Sequence, residues 1–153
     1  MLKKKLGIEA IELDNILNAE DFTTSHFKIP SSLIIPEGCK KIGYRAFWGC
    51  RELEKVIIPE SVKEIGEYSF AYCKKLREVV IPKNVEEIGK CAFCGCRELK
   101  KIVIPENVER IEDYVFYGCT DTDIILEKLE SEFKFIASTA FCNVKNVKEE
   151  IRS

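Results

Sequence analysis

One histidine, His26, is all this sequence offers in the way of imidazole, and that shortage excludes much. Serine and cysteine nucleophiles need a base within hydrogen-bond reach, and a lone histidine more often packs or faces solvent than acts as one. Neither a GxGxxG nor a GxxxxGK[ST] loop is present to cradle a phosphate. The chain is therefore expected to be no enzyme and to bind no cofactor. An excess of one charge is missing too: 24 Lys and Arg stand against 26 Asp and Glu, a formal charge of −2. No global field then draws the protein to nucleic acid or an anionic membrane, and the one basic run, Lys3 to Lys5, is too short to create one. No apolar run approaches the roughly 20 residues of a membrane-spanning helix. The start, MLKKKLGIEAIELDN, is basic, but Glu9 and Glu12 interrupt its apolar stretch, unlike a secretory leader. A cytoplasmic location is expected on that ground, and an extracellular one only if a leader has been removed. Cytosolic cysteines are mostly reduced, so free thiols are expected for the eight present.

What the sequence does have is a period. Proline recurs at Pro36, Pro59, Pro82 and Pro105, phenylalanine at Phe47, Phe70, Phe93 and Phe116, and cysteine at Cys50, Cys73, Cys96 and Cys119, each 23 residues apart. Four regular copies begin at Leu33, Val56, Val79 and Ile102; a fifth, from Ile124, lacks the proline and carries about two extra residues. Units of this length cannot bury their apolar face alone and must stack, so the period predicts a solenoid.

Within a unit, Leu53 to Pro59 is a β-branched run closed by proline, which suits a strand pairing with its counterpart in the next coil about 4.8 Å away. Alternation points Val56 and Ile58 inward and Lys55, Ile57 and Pro59 outward. Val62 and Ile65 follow into the interior, and Gly66 is read as a turn residue with a positive φ. The segment EYSFAYC, ending at Cys73, reads as a tight helical turn with Phe70 in the core and Ser69 where other copies have Ala46, Ala92 or Val115. Residues 1–32 are expected to form an N-terminal cap: Leu6, Ala10, Leu13 and Leu17 share one helical face, predicting a helix over about 6–19. Repeats then fill 33–146, the fifth copy capping the far end with Phe133, Phe135 and Phe141, and 147–153 is a polar tail.

The pattern L-x-x-V-x-I-P-x-x-V-x-x-I-G-x-x-A-F-x-x-C, followed closely over 33–123 and loosely over 124–146, resembles the BspA-type leucine-rich repeat. The resemblance implies an α/β-type solenoid with a parallel sheet on its concave side, used for binding proteins. Family members are often bacterial or protozoan surface proteins and adhesins.

The stretch CAFCGC, residues 91–96, raises the question of a metal site. Cys96 belongs to the core column of Cys50, Cys73 and Cys119, a ladder of small soft groups, and Cys39 replaces a core valine. Cys91 and Cys94 occupy variable columns and are expected to be exposed. They are the only metal candidates, and a closed zinc site needs four ligands where no second CxxC or His pair exists; a site shared across a dimer is the comfortable form. Partner binding has more to stand on. Outward strand positions stack into an aliphatic column, Ile34, Ile57, Val80, Val103 and Ile125, beside a column of Ser32, Lys55, Glu78, Lys101 and Asp123 that alternates in sign from Lys55 onward and lets neighbouring rungs pair. Ile34, Lys55, Ile57, Glu78, Val80, Lys101, Val103 and Ile125 are the candidate contact residues. β-Branched residues suit strands in any case, and five aliphatic side chains expose only roughly 300 Å², an ordinary patch. Tyr44, Trp48, Tyr68, Tyr72, Tyr114 and Tyr117 gather at the turns, as contact residues or as shields of the core edge. The expected function is a non-catalytic module docking a protein of unknown identity through the concave sheet. Alternatives are a phage- or mobile-element-type inhibitor that blocks a host protein such as a defence nuclease, and a surface adhesin if exported.

Overall fold

Every 23 residues the chain completes one coil and contributes two short strands to it. The structure, a computed structural model, describes residues 31–151; the helix expected over 6–19 and His26 lie outside the described residues. In chain order the strands are β1 (Ser32–Ile34), β2 (Lys41–Ile42), β3 (Lys55–Ile57), β4 (Glu64–Ile65), β5 (Glu78–Val80), β6 (Glu87–Ile88), β7 (Lys101–Ile104), β8 (Arg110–Ile111), β9 (Asp123–Leu126), β10 (Phe135–Ile136) and β11 (Asn146–Glu149). Odd-numbered strands form the front face, in two parallel sheets ordered β1-β3-β5 and β7-β9-β11; even-numbered strands form one parallel sheet of five, β2 to β10. Register advances by one whole repeat per rung: Val56 faces Leu33 on one side and Val79 on the other, and Ile65 faces Ile42 and Ile88. A slip of one residue would turn these aliphatic columns out to water. β11 begins the sixth rung of the front at the start of the stretch read as a polar tail, pairing Val147 with Ile124.

The third side of each coil is not helical. Among the described residues there is no α-helix, only a single 3₁₀ turn at Glu130–Glu132. In the segment read as a helical turn, alternate amides do different work. Ala46, Trp48 and Cys50 close short turns on Gly43, Arg45 and Phe47, while Arg45, Phe47 and Gly49 donate to Glu67, Ser69 and Ala71 of the next coil at 3.0, 2.7 and 2.8 Å. The next two coils repeat this from Tyr68, Phe70 and Tyr72 and from Cys91, Phe93 and Gly95. A helix would send every amide back along its own segment, leaving nothing to hold neighbouring coils together on this side. Left-handed residues break the helical path twice per coil, at Arg45, Tyr68, Cys91 and Tyr114, φ between 53° and 56°, and again at Gly49, Tyr72, Gly95 and Gly118, φ between 60° and 83°.

Two other local readings are corrected. Gly66 does not need a positive φ; a Cβ there would lie 2.3 Å from the Ile42 carbonyl oxygen, and at Gly89 2.7 Å from the Glu67 nitrogen. Glycine recurs in this column because neighbouring coils touch backbone to backbone. Pro59, read as outward, is buried, because the chain already turns the corner there: Val62 N–H bonds its carbonyl at 3.1 Å.

Phenylalanine runs through the middle of the stack. Phe47, Phe70, Phe93, Phe116 and Phe141 lie face over face with centroids 5.4, 5.5, 5.7 and 6.1 Å apart and planes within 12°. Beside them the cysteine column ties coil to coil. The thiols of Cys73, Cys96 and Cys119 donate to the carbonyls of Phe47, Phe70 and Phe93 at 3.1, 3.2 and 3.1 Å. Asparagine does the same at a corner the repeat pattern leaves unmarked: Asn84 Nδ2 donates to Glu60 O and Asn107 Nδ2 to Lys83 O, each at 2.9 Å. Ser69 is the misfit. It is fully buried, and its hydroxyl has no hydrogen-bond partner among the described residues.

Two substitutions should therefore move stability in opposite directions when urea midpoints are compared. Ser69→Ala removes an unsatisfied buried hydroxyl and should stabilise by about 1–3 kcal/mol. Phe93→Ala opens the ring stack and should cost about 3–5 kcal/mol.

Candidate functional site

The front sheets place the aliphatic column on the surface at one end and withdraw it at the other. Ile34 and Ile57 are 40 % and 42 % exposed and Val80 is 65 % exposed, whereas Val103 is half-buried and Ile125 only 5 % exposed. Ile125 is thus not the exposed contact residue it was read to be. It stands in register between Val103 and the long Lys148 side chain, on the middle strand of its sheet.

The charged column is similarly selective. Lys55 Nζ meets Glu78 Oε1 at 3.0 Å, and Asp123 Oδ1 accepts from Asn146 Nδ2 at 2.9 Å. Among the described residues Lys101 takes no part in an ion pair, and no strand pairing joins β5 to β7 beside it. Glu78 N–H bonds Glu54 O at 3.2 Å and Asp123 N–H bonds Lys100 O at 2.8 Å, but Lys101 has no equivalent bond to Arg77. A groove of about 410 Å³ opens at this interruption, with Val80, Val103 and Pro105 on its floor and Lys83, Lys101 and Glu127 around it. Nothing in the aliphatic pattern marks it, since Val80 and Val103 continue their column.

The second sheet carries a groove of different character, lined by Glu64, Glu67, Glu87, Glu112 and Asp113 with Lys41 and Lys90. Burial first, and then Glu64 and Glu112, hold the Glu87 carboxyl above its ordinary range, while Arg110 and Lys41 oppose them.

Cys91 and Cys94 are buried, at 7 % and 5 % exposure, not exposed as their variable columns suggested. They pack with Ala71 against Tyr68 in a small cluster outside the main core, and Cys94 N–H closes a turn on Cys91 O at 3.1 Å. Large tyrosines in the preceding coil cover small residues in this one: a Cβ at Gly95 would lie 2.6 Å from the Tyr72 ring. Burial, then Cys91, pushes the Cys94 thiol up to about 11, and burial pushes Cys96 well up and Cys119 to about 12. Thiols held protonated are poor nucleophiles and poor metal ligands. Among the described residues no group of three or more His, Cys, Asp or Glu could hold a metal ion.

Of the turn aromatics, Trp48, Tyr72, Tyr114 and Tyr117 are exposed. Trp48 meets Tyr72 edge to face at 6.1 Å, Tyr44 meets Tyr68 at 6.2 Å and Tyr114 meets Tyr117 at 5.8 Å. The Arg45 guanidinium lies 5.2 to 5.7 Å from the Tyr44, Trp48 and Tyr68 rings. These contacts run along and between coils, so the rings brace the turn edge as well as facing water.

Stacked coils of about 23 residues, parallel sheets and an aliphatic row on one exposed face define a β-solenoid of leucine-rich-repeat type. The chain belongs to the BspA-type leucine-rich repeat family, whose model matches six copies over residues 15–149. It is similar to a leucine-rich repeat protein from Bacteroides ovatus, at 30 % identity over 82 % of this chain and 33 % of that one, TM-score 0.64. It is similar also to the leucine-rich repeat protein of T. pallidum, at 23 % identity over 78 % and 57 %, TM-score 0.65. A third is a leucine-rich cell surface protein from Faecalibacterium prausnitzii, at 24 % identity over 76 % and 36 %, TM-score 0.58. This chain thus spans between a third and somewhat over half the length of these structures. No curated protein matches the sequence significantly. Among the described residues no helix is long and apolar enough to cross a membrane.

Native thiol labelling should follow burial rather than column variability. Cys39 and Cys142, both half-buried, are expected to react first, with Cys91 and Cys94 joining only as the fold opens; four fast thiols in the native protein would refute their burial.

Proposed function

We infer that this chain is a non-catalytic binding module that docks a protein partner through its front face. The observation that carries the reading is the exposed row of Ile34, Ile57 and Val80 on a sheet whose flanking charges are already in place. Three aliphatic side chains standing in water on a rigid sheet cost little to desolvate and lose little freedom on binding. Family membership supports it, since the exposed sheet of a repeat solenoid is its usual contact surface. A surface-protein setting is the second reading, supported by the description of the F. prausnitzii relative as a cell surface protein.

The triple variant Ile34→Glu, Ile57→Glu, Val80→Glu tests the docking face. It should keep its circular dichroism and melting temperature, because these side chains point away from the core, and should lose the partners that the parent chain captures and mass spectrometry identifies. Unchanged capture by a folded triple variant would overturn the reading and move the site to the turn aromatics.

A further inference from the structure

We propose that Cys91 and Cys94 form a redox-active pair, two thiols that a low-molecular-weight disulfide such as oxidised glutathione converts to an internal disulfide while the coils stay folded. The pair lies on the turn side of the third coil, apart from the docking face, and stands or falls independently of it.

The backbone here is already closed on itself. Cys94 N–H bonds Cys91 O at 3.1 Å, and a turn closed in this way brings its first and fourth Cα atoms within about 7 Å, near the roughly 4.4–6.8 Å that a disulfide spans. Neighbouring coils fix the turn from both sides: Cys91 N–H donates to Asp113 O at 3.0 Å, and Cys94 O accepts from Tyr72 N–H at 2.6 Å. Joining the sulfurs therefore takes side-chain rotation and little further ordering of the chain. The two side chains share one small cluster with Ala71, outside the main core, and the Cys94 thiol sits against Cys91 and the Tyr72 hydroxyl. The ladder thiols are placed differently. Those of Cys73, Cys96 and Cys119 each donate to a phenylalanine carbonyl of the coil before, so a bond between neighbours in that column would strip buried carbonyls of their donors. Cys39, whose thiol donates to Lys41 O at 3.2 Å, stands in the first coil and Cys142 in the fifth. The cover over the pair is one ring thick: Tyr72 lies over Gly95 and is itself 44 % exposed, so a swing of that ring opens a path to Cys94. The step balances as thiol–disulfide exchange. The thiolate of one cysteine attacks a sulfur of oxidised glutathione, breaking its S–S bond and releasing one glutathione thiolate. The thiolate of the other then attacks the mixed disulfide at the protein sulfur and releases the second. Two electrons pass from the pair to glutathione, and the two protons given up by the cysteines end on the released thiolates.

The test incubates the folded, reduced chain with oxidised glutathione, quenches with acid, blocks the remaining thiols with N-ethylmaleimide in denaturant, and reads the tryptic peptide of residues 91–97 by mass spectrometry. Cys91 should be joined to Cys94 with Cys96 carrying maleimide, and dithiothreitol should reverse the bond. Cys91→Ala should abolish the product and Cys96→Ala should not. Because the fold presets the turn, the equilibrium constant for closure in a glutathione redox buffer should exceed that of the isolated peptide of residues 90–97 by about tenfold or more. Tyr72→Ala, by uncovering Cys94, should speed closure about tenfold. A chain in which Cys39 and Cys142 take up glutathione while Cys91 and Cys94 stay reduced, a disulfide that includes a ladder cysteine, or an equilibrium constant no greater than that of the peptide would each overturn the proposal. An unchanged rate in the Tyr72→Ala variant would overturn the role of the ring alone.

Discussion

Main-chain hydrogen bonding from each coil to the next is the constraint on which the rest depends. A 23-residue coil has no interior of its own, and its amides must find partners above and below. The front sheets and the second sheet meet this demand with parallel strands. The turn side meets it by alternation, every second amide crossing to the next coil. Once coils are locked at this spacing, side chains in one column can only stack. Phenylalanine rings then lie face over face, with centroids near 5.5 Å, and cysteine thiols reach the carbonyls of the coil before. Glycine occupies Gly66 and Gly89, where backbones touch most closely, while Glu112 and Ala137 fill the same column further along and make the equivalent amide bond.

The same constraint explains why an interruption matters. Where β5 and β7 fall out of pairing, the hydrogen bonds lost are not replaced within the described residues, and the side-chain pairing that accompanies them stops too. Lys55 finds Glu78 across an intact rung; Glu78 and Lys101 are separated by the broken one. The ion pairs that do form between rungs, such as Lys55 with Glu78, are worth little individually at the surface.

Burial of Cys91 and Cys94 has its origin in the neighbouring coil rather than in their own. Their columns hold Arg45, Tyr68 and Tyr114, and Trp48, Ala71 and Tyr117, a mixture that reads as exposed. A small residue in such a column is covered by the large ones beside it. Tyr68 and Tyr72 lie against the third coil, and the metal question that CAFCGC raised becomes one of two buried thiols under tyrosine rings.

By itself the sequence determined the coil length, the inward columns and the parallel register, because a 23-residue repeat of large apolar residues has one arrangement that buries them all. It determined the phenylalanine and cysteine ladders for the same reason. Only the tertiary structure decided what depends on contact between coils: that the turn side is a hydrogen-bonded ladder and not a helix, that Gly66 answers to Ile42 across a gap, that Ile125 is covered while Val80 stands clear, and that one front rung is unpaired. Those outcomes rest on distances between residues 22 to 26 positions apart in different coils, which a pattern read along one coil does not contain.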